Sequence, residues 1–173
     1  MQDWIIEPSA TLIEVNPNSL PRQNQLLRIS EVYKRLLPMV GKSINYLDAV
    51  QERNRGAELH ELICEHLGYS IYEDDGTYPD VANQLLEVKL QTSPTIDLGL
   101  HSPEDGAYIL SLNGADIYSE DIRYAIFDGE VVGNRVYLRN LYIVSGEDFS
   151  EFFPIWEGKN SKIQLPLPID FFD

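Results

Sequence analysis

Apolar and polar residues alternate strictly along residues 86–91, which is the pattern of a β-strand with one buried face. Leu86, Val88 and Leu90 fall on the face that we predict to contact the core. The opposite face carries an acid, an amine and an amide in succession. The candidate chemistry of the chain is arranged around this strand.

Apolar residues at helical spacing predict three helices in the first 70 residues. The first begins at Ser19 and ends near Gly41, and the others cover residues 43–50 and 57–67. Gly68 directly follows the third helix and provides a natural C-terminal stop. The N-terminal part of the chain is therefore predicted to be mainly helical.

Short runs of β-branched and aromatic residues predict strands at 69–72, 96–98, 107–112, 123–127 and 135–144. The run at 107–112 also fits the start of a helix, and a short helix is predicted within 147–153. Turn residues occur at Asp128-Gly129 and Gly133-Asn134, between the last two strands. We predict an α/β fold, with a mixed central sheet and flanking helices. The N-terminal helices would pack on one face, and a hairpin containing residues 86–91 would lie in the middle of the sheet.

The segment before residues 86–91 can fold back onto this strand. If residues 83–84 form a two-residue turn, Asp80 lies across from Glu87 and Val81 across from Leu86. A longer symmetric loop keeps the same pairing. Directly opposed residues have Cβ atoms about 5 Å apart, so two carboxylates would lie side by side.

Two facing carboxylates repel each other unless a cation neutralises them. Mg²⁺ typically binds one or two carboxylates together with phosphate oxygens, so Asp80 and Glu87 are candidate metal ligands. Lys89 follows on the same face and would place a positive charge near an attacking water or a developing negative oxygen. Gln91, next along this face, is a candidate for binding a nearby phosphate or water. This set of residues is suited to hydrolysing a phosphodiester bond.

Pro79-Asp80, six residues and then Glu87-Val88-Lys89 resemble the signature of the PD-(D/E)XK nuclease superfamily, which contains most type II restriction endonucleases. The resemblance implies a restriction endonuclease-like fold and Mg²⁺-dependent cleavage of double-stranded DNA. Asp80 and Glu87 would hold the metal, and Lys89 would orient or stabilise the attacking hydroxide. Cleavage of both strands would call for a homodimer, whereas a nickase would not need one.

In the resembled superfamily, a helix before the hairpin often sends an acidic residue to the metal. Four residues of the helix predicted at 57–67 are candidates, and the sequence leaves the choice open: Glu58, His60, Glu61 and Glu65. Glu61 lies nearly opposite the apolar stripe, so we expect it to face solvent. The single cysteine, Cys64, is expected to be a buried small side chain.

The length of 173 residues fits one domain, 1–173, which could also be the catalytic part of a larger enzyme with a separate recognition domain. One cysteine excludes an internal disulfide framework and suits the cytoplasm. No apolar run reaches the length of a membrane span, and no signal peptide is expected. No glycine-rich phosphate loop, zinc-ligand spacing or Gly-x-Ser-x-Gly turn is present.

The formal net charge of −15 is unusual for a DNA-binding protein, because such proteins contact phosphates through Lys and Arg. The first 60 residues carry seven basic and seven acidic residues, so the excess lies entirely in 61–173. This charge favours an alternative: a non-catalytic inhibitor whose acidic surface imitates DNA. A third hypothesis is a superfamily member that has lost catalysis and only binds.

Overall fold

The computed structural model describes residues 12, 14–46, 52–73, 76, 78–98, 102–112, 114–153 and 164–166. Three helices and eight strands are defined within these residues. In chain order they are α1 (Ile29–Leu36), β1 (Ser43–Asn45), α2 (Glu52–Leu67), β2 (Leu86–Gln91), β3 (Thr95–Asp97), β4 (Tyr108–Leu112), β5 (Ala115–Tyr118), β6 (Arg123–Val132), β7 (Arg135–Ser145), α3 (Phe149–Phe152) and β8 (Gln164–Pro166).

A four-stranded mixed sheet with the order β1-β7-β6-β2 forms the centre of the fold. β2 runs parallel to β6, whereas β6 pairs with β7 and β7 with β1 in antiparallel fashion. Two smaller antiparallel pairs, β3 with β8 and β4 with β5, complete the described strands. The predicted α/β class with a mixed sheet is confirmed.

The turn before β2 differs in part from the prediction. Val81 and Leu86 form the expected antiparallel bridge, with backbone hydrogen bonds of 2.9 and 3.2 Å. The loop is the longer symmetric one that the sequence left open, and not the two-residue turn: Ala82–Gln84 form one turn of 3₁₀ helix, and Leu85 adopts a left-handed conformation with φ of 49°. The predicted position in the middle of the sheet is wrong. Among the described residues, β2 is an edge strand of the four-stranded sheet.

The two faces of the sheet bury two separate apolar clusters. On one face Leu86, Val88 and Leu90 of β2 pack with the apolar sides of α1 and α2, which confirms both the predicted alternation and the predicted helix packing. The other face is covered as well, because Tyr124 and Ile126 of β6 lie there in a second cluster. The polar side of β2 therefore faces a partly closed environment instead of open solvent.

The helix predictions hold for α2 but only partly for the segments before it. α2 ends at Leu67 and is followed by Gly68 at a φ of 102°, as predicted. α1 begins at Ile29 instead of Ser19, because the chain just before it is bonded to the turn that precedes β2. The helix predicted at 43–50 is wrong, since 43–45 form β1; residues 47–50 lie outside the described part. No helix among the described residues is long and apolar enough to cross a membrane.

Two further predictions of local structure are wrong. Residues 69–72 do not form a strand, because this segment continues from the end of α2. The Tyr69 N–H donates to the Cys64 carbonyl at 2.9 Å and so caps the helix. Asp128-Gly129 is a bulge inside β6 instead of a turn. A Cβ on Gly129 would lie 2.6 Å from Val136 Cγ1, so glycine permits the close packing there. The strand predictions at 96–98, 107–112 and 135–144 are confirmed by β3, β4 and β7.

A buried glutamine fixes the turn before β2 to the N-terminal segment. Gln84 Oε1 accepts the Leu27 N–H at 2.9 Å, and Nε2 donates to the Gln25 carbonyl at 2.9 Å and to the Tyr69 hydroxyl at 3.1 Å. Gln84 is completely buried, so these bonds replace those that water would provide. The turn that separates Asp80 from Glu87 is thereby held in one conformation.

Gln84→Ala is expected to lower the free energy of unfolding by about 2–4 kcal/mol, because several buried backbone and side-chain groups lose their partner at once. Urea titration followed by circular dichroism would measure the change. Gln23→Ala is the matched control, since Gln23 is exposed in the same segment and should change stability by less than about 0.5 kcal/mol. Equal stabilities of the two variants would contradict this account of the turn.

Candidate active site

The turn and the start of β2 bring Asp80 and Glu87 together. The Asp80 N–H donates to Glu87 Oε2 at 3.2 Å, and Asp80 Oδ2 accepts the Val88 N–H at 2.8 Å. Each carboxylate thus accepts a hydrogen bond from the backbone beside the other one. The proximity follows from the pairing of Val81 with Leu86, which places the flanking residues opposite each other.

Lys89 joins the same cluster from the next position on this face of β2. Its Nζ donates to Glu87 Oε1 at 2.7 Å, and its side chain is 19% exposed. Glu87 is only 6% exposed. The three side chains therefore form one partly buried group, in which the ammonium is paired with Glu87 and Glu87 is bonded to the Asp80 backbone.

Two tyrosines border this group, and the sequence did not single them out. Tyr124 of β6 is the register partner of Glu87, and its hydroxyl lies 3.0 Å from that of Tyr78. Burial raises the pKa of Tyr124 to about 12 and that of Tyr78 further, and the negative charges of Glu87 and Asp105 add to both shifts. Both phenols are therefore protonated at neutral pH.

A signal for Tyr78 was present in the sequence, because it lies two residues before Asp80. Tyr124 gave no local signal. Its place beside Glu87 depends on the parallel register of β2 and β6, which joins segments separated by the β3, β4 and β5 strands. Sequence periodicity describes the faces of a strand and does not identify its neighbour.

Gln91 lies on the same face of β2, but its side chain forms hydrogen bonds with the loop that follows the strand. Its Nε2 donates to the backbone carbonyls of Ser93 and Thr95, and to Ser93 Oγ at 2.9 Å. The residue is buried. Contact with a phosphate or water would require exchange of these bonds, and this role of Gln91 stays a prediction.

Among the described side chains of α2, none adds an acid to the pair of Asp80 and Glu87. Glu58 Oε2 accepts hydrogen bonds from the Asn45 backbone and side chain, both at 3.1 Å. His60 is buried with Nε2 3.4 Å from Cys64 Sγ, and the thiol is fully buried as predicted. Glu61 is exposed, as predicted, and Glu65 is exposed as well. Within the described ranges, no three His, Cys, Asp or Glu residues are grouped to hold a metal ion.

The donor chemistry at Asp80 and Glu87 fits Mg²⁺. Carboxylate oxygens are hard ligands, and each ionised carboxylate offers about four acceptor positions. On Glu87, the hydrogen bonds from the Asp80 N–H and from Lys89 use only part of these positions. Mg²⁺ commonly takes one or two carboxylates and completes its shell with water and substrate phosphate, so a third protein ligand is not required.

Comparisons with known proteins give no family or function for this chain. No family model matches this chain, and neither a curated protein nor a solved structure does. The similarity to the PD-(D/E)XK signature thus consists of the spacing of Pro79-Asp80 and Glu87-Val88-Lys89. To that spacing the structure adds the convergence of two carboxylates and one ammonium at the edge of a mixed sheet.

Proposed function

We propose that the protein is a metal-dependent endodeoxyribonuclease of the PD-(D/E)XK type. The observation that carries the proposal is the hydrogen-bonded cluster of Asp80, Glu87 and Lys89. Like charges are seldom brought together in a partly buried position unless a cation or a reaction uses them. An ammonium beside two carboxylates also provides the charges that hydrolysis of a phosphodiester needs.

Asp80 and Glu87 would hold Mg²⁺ through their carboxylate oxygens. When bound, Mg²⁺ would supply Lewis-acid activation of a water molecule and offset the negative charge of the phosphate. The Lys89 ammonium would hold the attacking oxygen in line with phosphorus and stabilise the charge that develops on the phosphate. Its bond to Glu87 fixes the direction from which it acts.

The mixed sheet with helices on one face is compatible with a restriction endonuclease-like fold. We propose a type II restriction enzyme or its catalytic domain, acting on double-stranded DNA in the cytoplasm. Two copies would be needed to cut both strands with one site per chain. A partner recognition domain would also provide basic residues for DNA contacts, which would offset the net charge of −15 of this chain.

The acidic surface favours one other function, a DNA mimic that inhibits a DNA-binding enzyme. Many of the described acids are exposed, including Glu104, Asp116, Glu120 and Glu147. A mimic requires dispersed carboxylates at the surface. It does not require a partly buried pair of acids with a lysine bonded to one of them, so this cluster favours a nuclease.

The purified protein is expected to nick or linearise supercoiled plasmid DNA with Mg²⁺ and to leave it intact with EDTA. Agarose electrophoresis over a set of plasmids of different sequence, followed by mapping of the ends, would measure the activity and the cleavage position. Absence of cleavage, combined with tight binding to a DNA-binding enzyme and none to DNA, would support the mimic. Binding to DNA without cleavage would support a superfamily member that has lost catalysis.

A further inference from the structure

The outer edge of β7 is covered along only part of its length. β1 pairs with residues 135–137 of β7. The Leu138 N–H donates to the Lys42 carbonyl at 2.9 Å, and the Leu138 carbonyl accepts the Gly41 N–H at 2.7 Å. Beyond Leu138, none of the described residues forms a backbone hydrogen bond with this edge. The second half of β7 therefore has an open edge, to which another strand can pair.

The ladder between β6 and β7 decides which backbone groups face the open edge. The Gly146 N–H donates to the Ile122 carbonyl at 2.7 Å, and bonded pairs of an antiparallel ladder recur at every second residue. Val144 therefore bonds towards β6, as Gly146 does. The N–H and carbonyl groups of the alternate residues face outwards: Leu141, Ile143 and Ser145.

Apolar side chains border the open edge. A cleft of about 340 Å³ adjoins it, and its walls include Ile143, Tyr33 of α1 and Phe152 of α3. Tyr33 is 39% exposed and Phe152 is 55% exposed. Residues 141–145 contain neither a charged residue nor a proline, two features that protect edge strands from pairing with other chains. An apolar edge without this protection is suited to burial against another chain.

We propose that this edge pairs with the same edge of a second copy of the chain, antiparallel and about a two-fold axis at Ile143. A strand that pairs with itself in this way makes the same contacts in both copies, so the assembly closes as a dimer. Ile143 then lies opposite Ile143 of the partner subunit, and Leu141 lies opposite the partner's Ser145. Any other axis along the strand leaves at least one of the three outward-facing residues without such a partner.

The charges at the two ends of the edge support this register. Arg139 lies four residues before Ile143 and Glu147 four residues after it, and both are exposed. The two-fold axis therefore brings Arg139 near the partner's Glu147, and opposite charges meet twice. Arg139 also bonds to Glu130 of its own chain at 2.8 Å, but its side chain is 49% exposed. A guanidinium has five N–H donors, so it can bind a second carboxylate.

The dimer is inferred from the edge alone, whereas its meaning for cleavage rests on the proposed nuclease function. The two-fold axis is perpendicular to the sheet, so the two sheets join into one and turn the same face to the same side. Five inter-strand spacings of about 4.8 Å separate the two β2 strands, which places the two candidate sites about 24 Å apart. Both sites would then face one bound duplex, as cleavage of both strands requires.

Analytical ultracentrifugation of the full chain tests the surface and its register. The wild type should sediment as a dimer. Arg139→Glu and Glu147→Arg should each raise the dimer dissociation constant at least about 10-fold, because two pairs of opposite charges become pairs of like charges. The double variant exchanges the charges and should recover most of this loss. Arg22→Glu and Glu61→Arg are the matched controls, since they make the same charge changes at other exposed positions and should keep the wild-type constant.

Hydrogen exchange at single amides distinguishes a second copy from any other cover of the edge. The Leu141 and Ile143 amides should exchange slowly in the dimer, and faster on dilution and in Arg139→Glu. The Val144 amide bonds to β6 and should stay slow throughout. A monomeric wild type would overturn the inference, and so would a dimer that neither charge variant weakens.

Slow exchange of the Ile143 amide at every concentration would also overturn it, because another segment of the same chain would then cover the edge. None of these results depends on plasmid cleavage. A dimer with the expected charge dependence but without cleavage would overturn the nuclease proposal and leave the interface standing.

Discussion

Asp80→Asn is expected to reduce the rate of Mg²⁺-dependent plasmid cleavage by at least about 10³-fold, which corresponds to about 4 kcal/mol of transition-state stabilisation. Asparagine has nearly the same shape as aspartate, and its side-chain oxygen can still accept the Val88 N–H. The substitution removes one negative charge and weakens the site for a divalent cation. Cleavage time courses with equal amounts of wild type and variant would measure the loss.

The same substitution is not expected to destabilise the metal-free protein. Asp80 lies beside Glu87, so removing its charge relieves the repulsion between like charges while the backbone bond is kept. The midpoint of thermal unfolding without metal should be equal to or higher than that of the wild type. A large loss of activity with no loss of stability is typical of residues retained for function.

Asp116→Asn is the control for Asp80→Asn. Asp116 is an exposed residue of β5, and the loss of its charge should change neither the cleavage rate nor the unfolding midpoint measurably. Cleavage by Asp80→Asn at more than about one tenth of the wild-type rate would remove Asp80 from the metal site. An equal loss of cleavage rate in Asp116→Asn and Asp80→Asn would show only a general effect of charge.

The local pattern was sufficient to predict the core of the candidate site. Strand alternation placed Leu86, Val88 and Leu90 on one face, and the pairing of Val81 with Leu86 followed from a symmetric chain reversal. Both are properties of residues close in sequence. The pairing that brings the two acids together joins residues close in sequence, which is why it could be predicted before the distant contacts that hold the turn were known.

The arrangement of the sheet could not be predicted in the same way. The position of β2 at the edge depends on its parallel pairing with β6, a contact between distant segments that no local pattern specifies. The burial of Glu87 is a consequence of that pairing, since Tyr124 lies beside Glu87 on the polar face of β2. The pairing of Glu87 with Tyr124 in this register explains why a tyrosine borders the site.

At two places in the N-terminal segment, tertiary contacts outweigh the local preference for a helix. Residues 25–27 have a helical apolar pattern, but the Leu27 N–H and the Gln25 carbonyl bond to the buried side chain of Gln84 instead. Ser43 is a good N-cap, yet Ser43–Asn45 pair with β7 through the register Ser43 to Tyr137. Propensity differences amount to less than about 1 kcal/mol per residue, so a few buried hydrogen bonds outweigh them.

Lys89→Met is expected to lower the cleavage rate by at least about 10²-fold, since it removes the positive charge beside the reacting phosphate. It is also expected to destabilise the metal-free protein by about 1–3 kcal/mol, because Glu87 loses the partner of its Oε1 in a position only 6% exposed. Lys34→Met is the control. Lys34 is exposed on α1, and its variant should retain the wild-type rate and stability.

Mg²⁺ should stabilise Lys89→Met more than it stabilises the wild type. In the wild type the Lys89 ammonium occupies Glu87 Oε1 and repels an approaching cation, whereas in the variant both carboxylates can turn to the metal. A ligand stabilises the folded state by RT ln(1 + [L]/Kd), so tighter binding raises the unfolding midpoint further at the same Mg²⁺ concentration. A larger Mg²⁺-induced shift together with lost cleavage would separate the two roles, metal binding by the acids and catalysis by the lysine. A shift no larger than in the wild type would mean that Glu87 is not a metal ligand, and retained cleavage would mean that Lys89 is not catalytic.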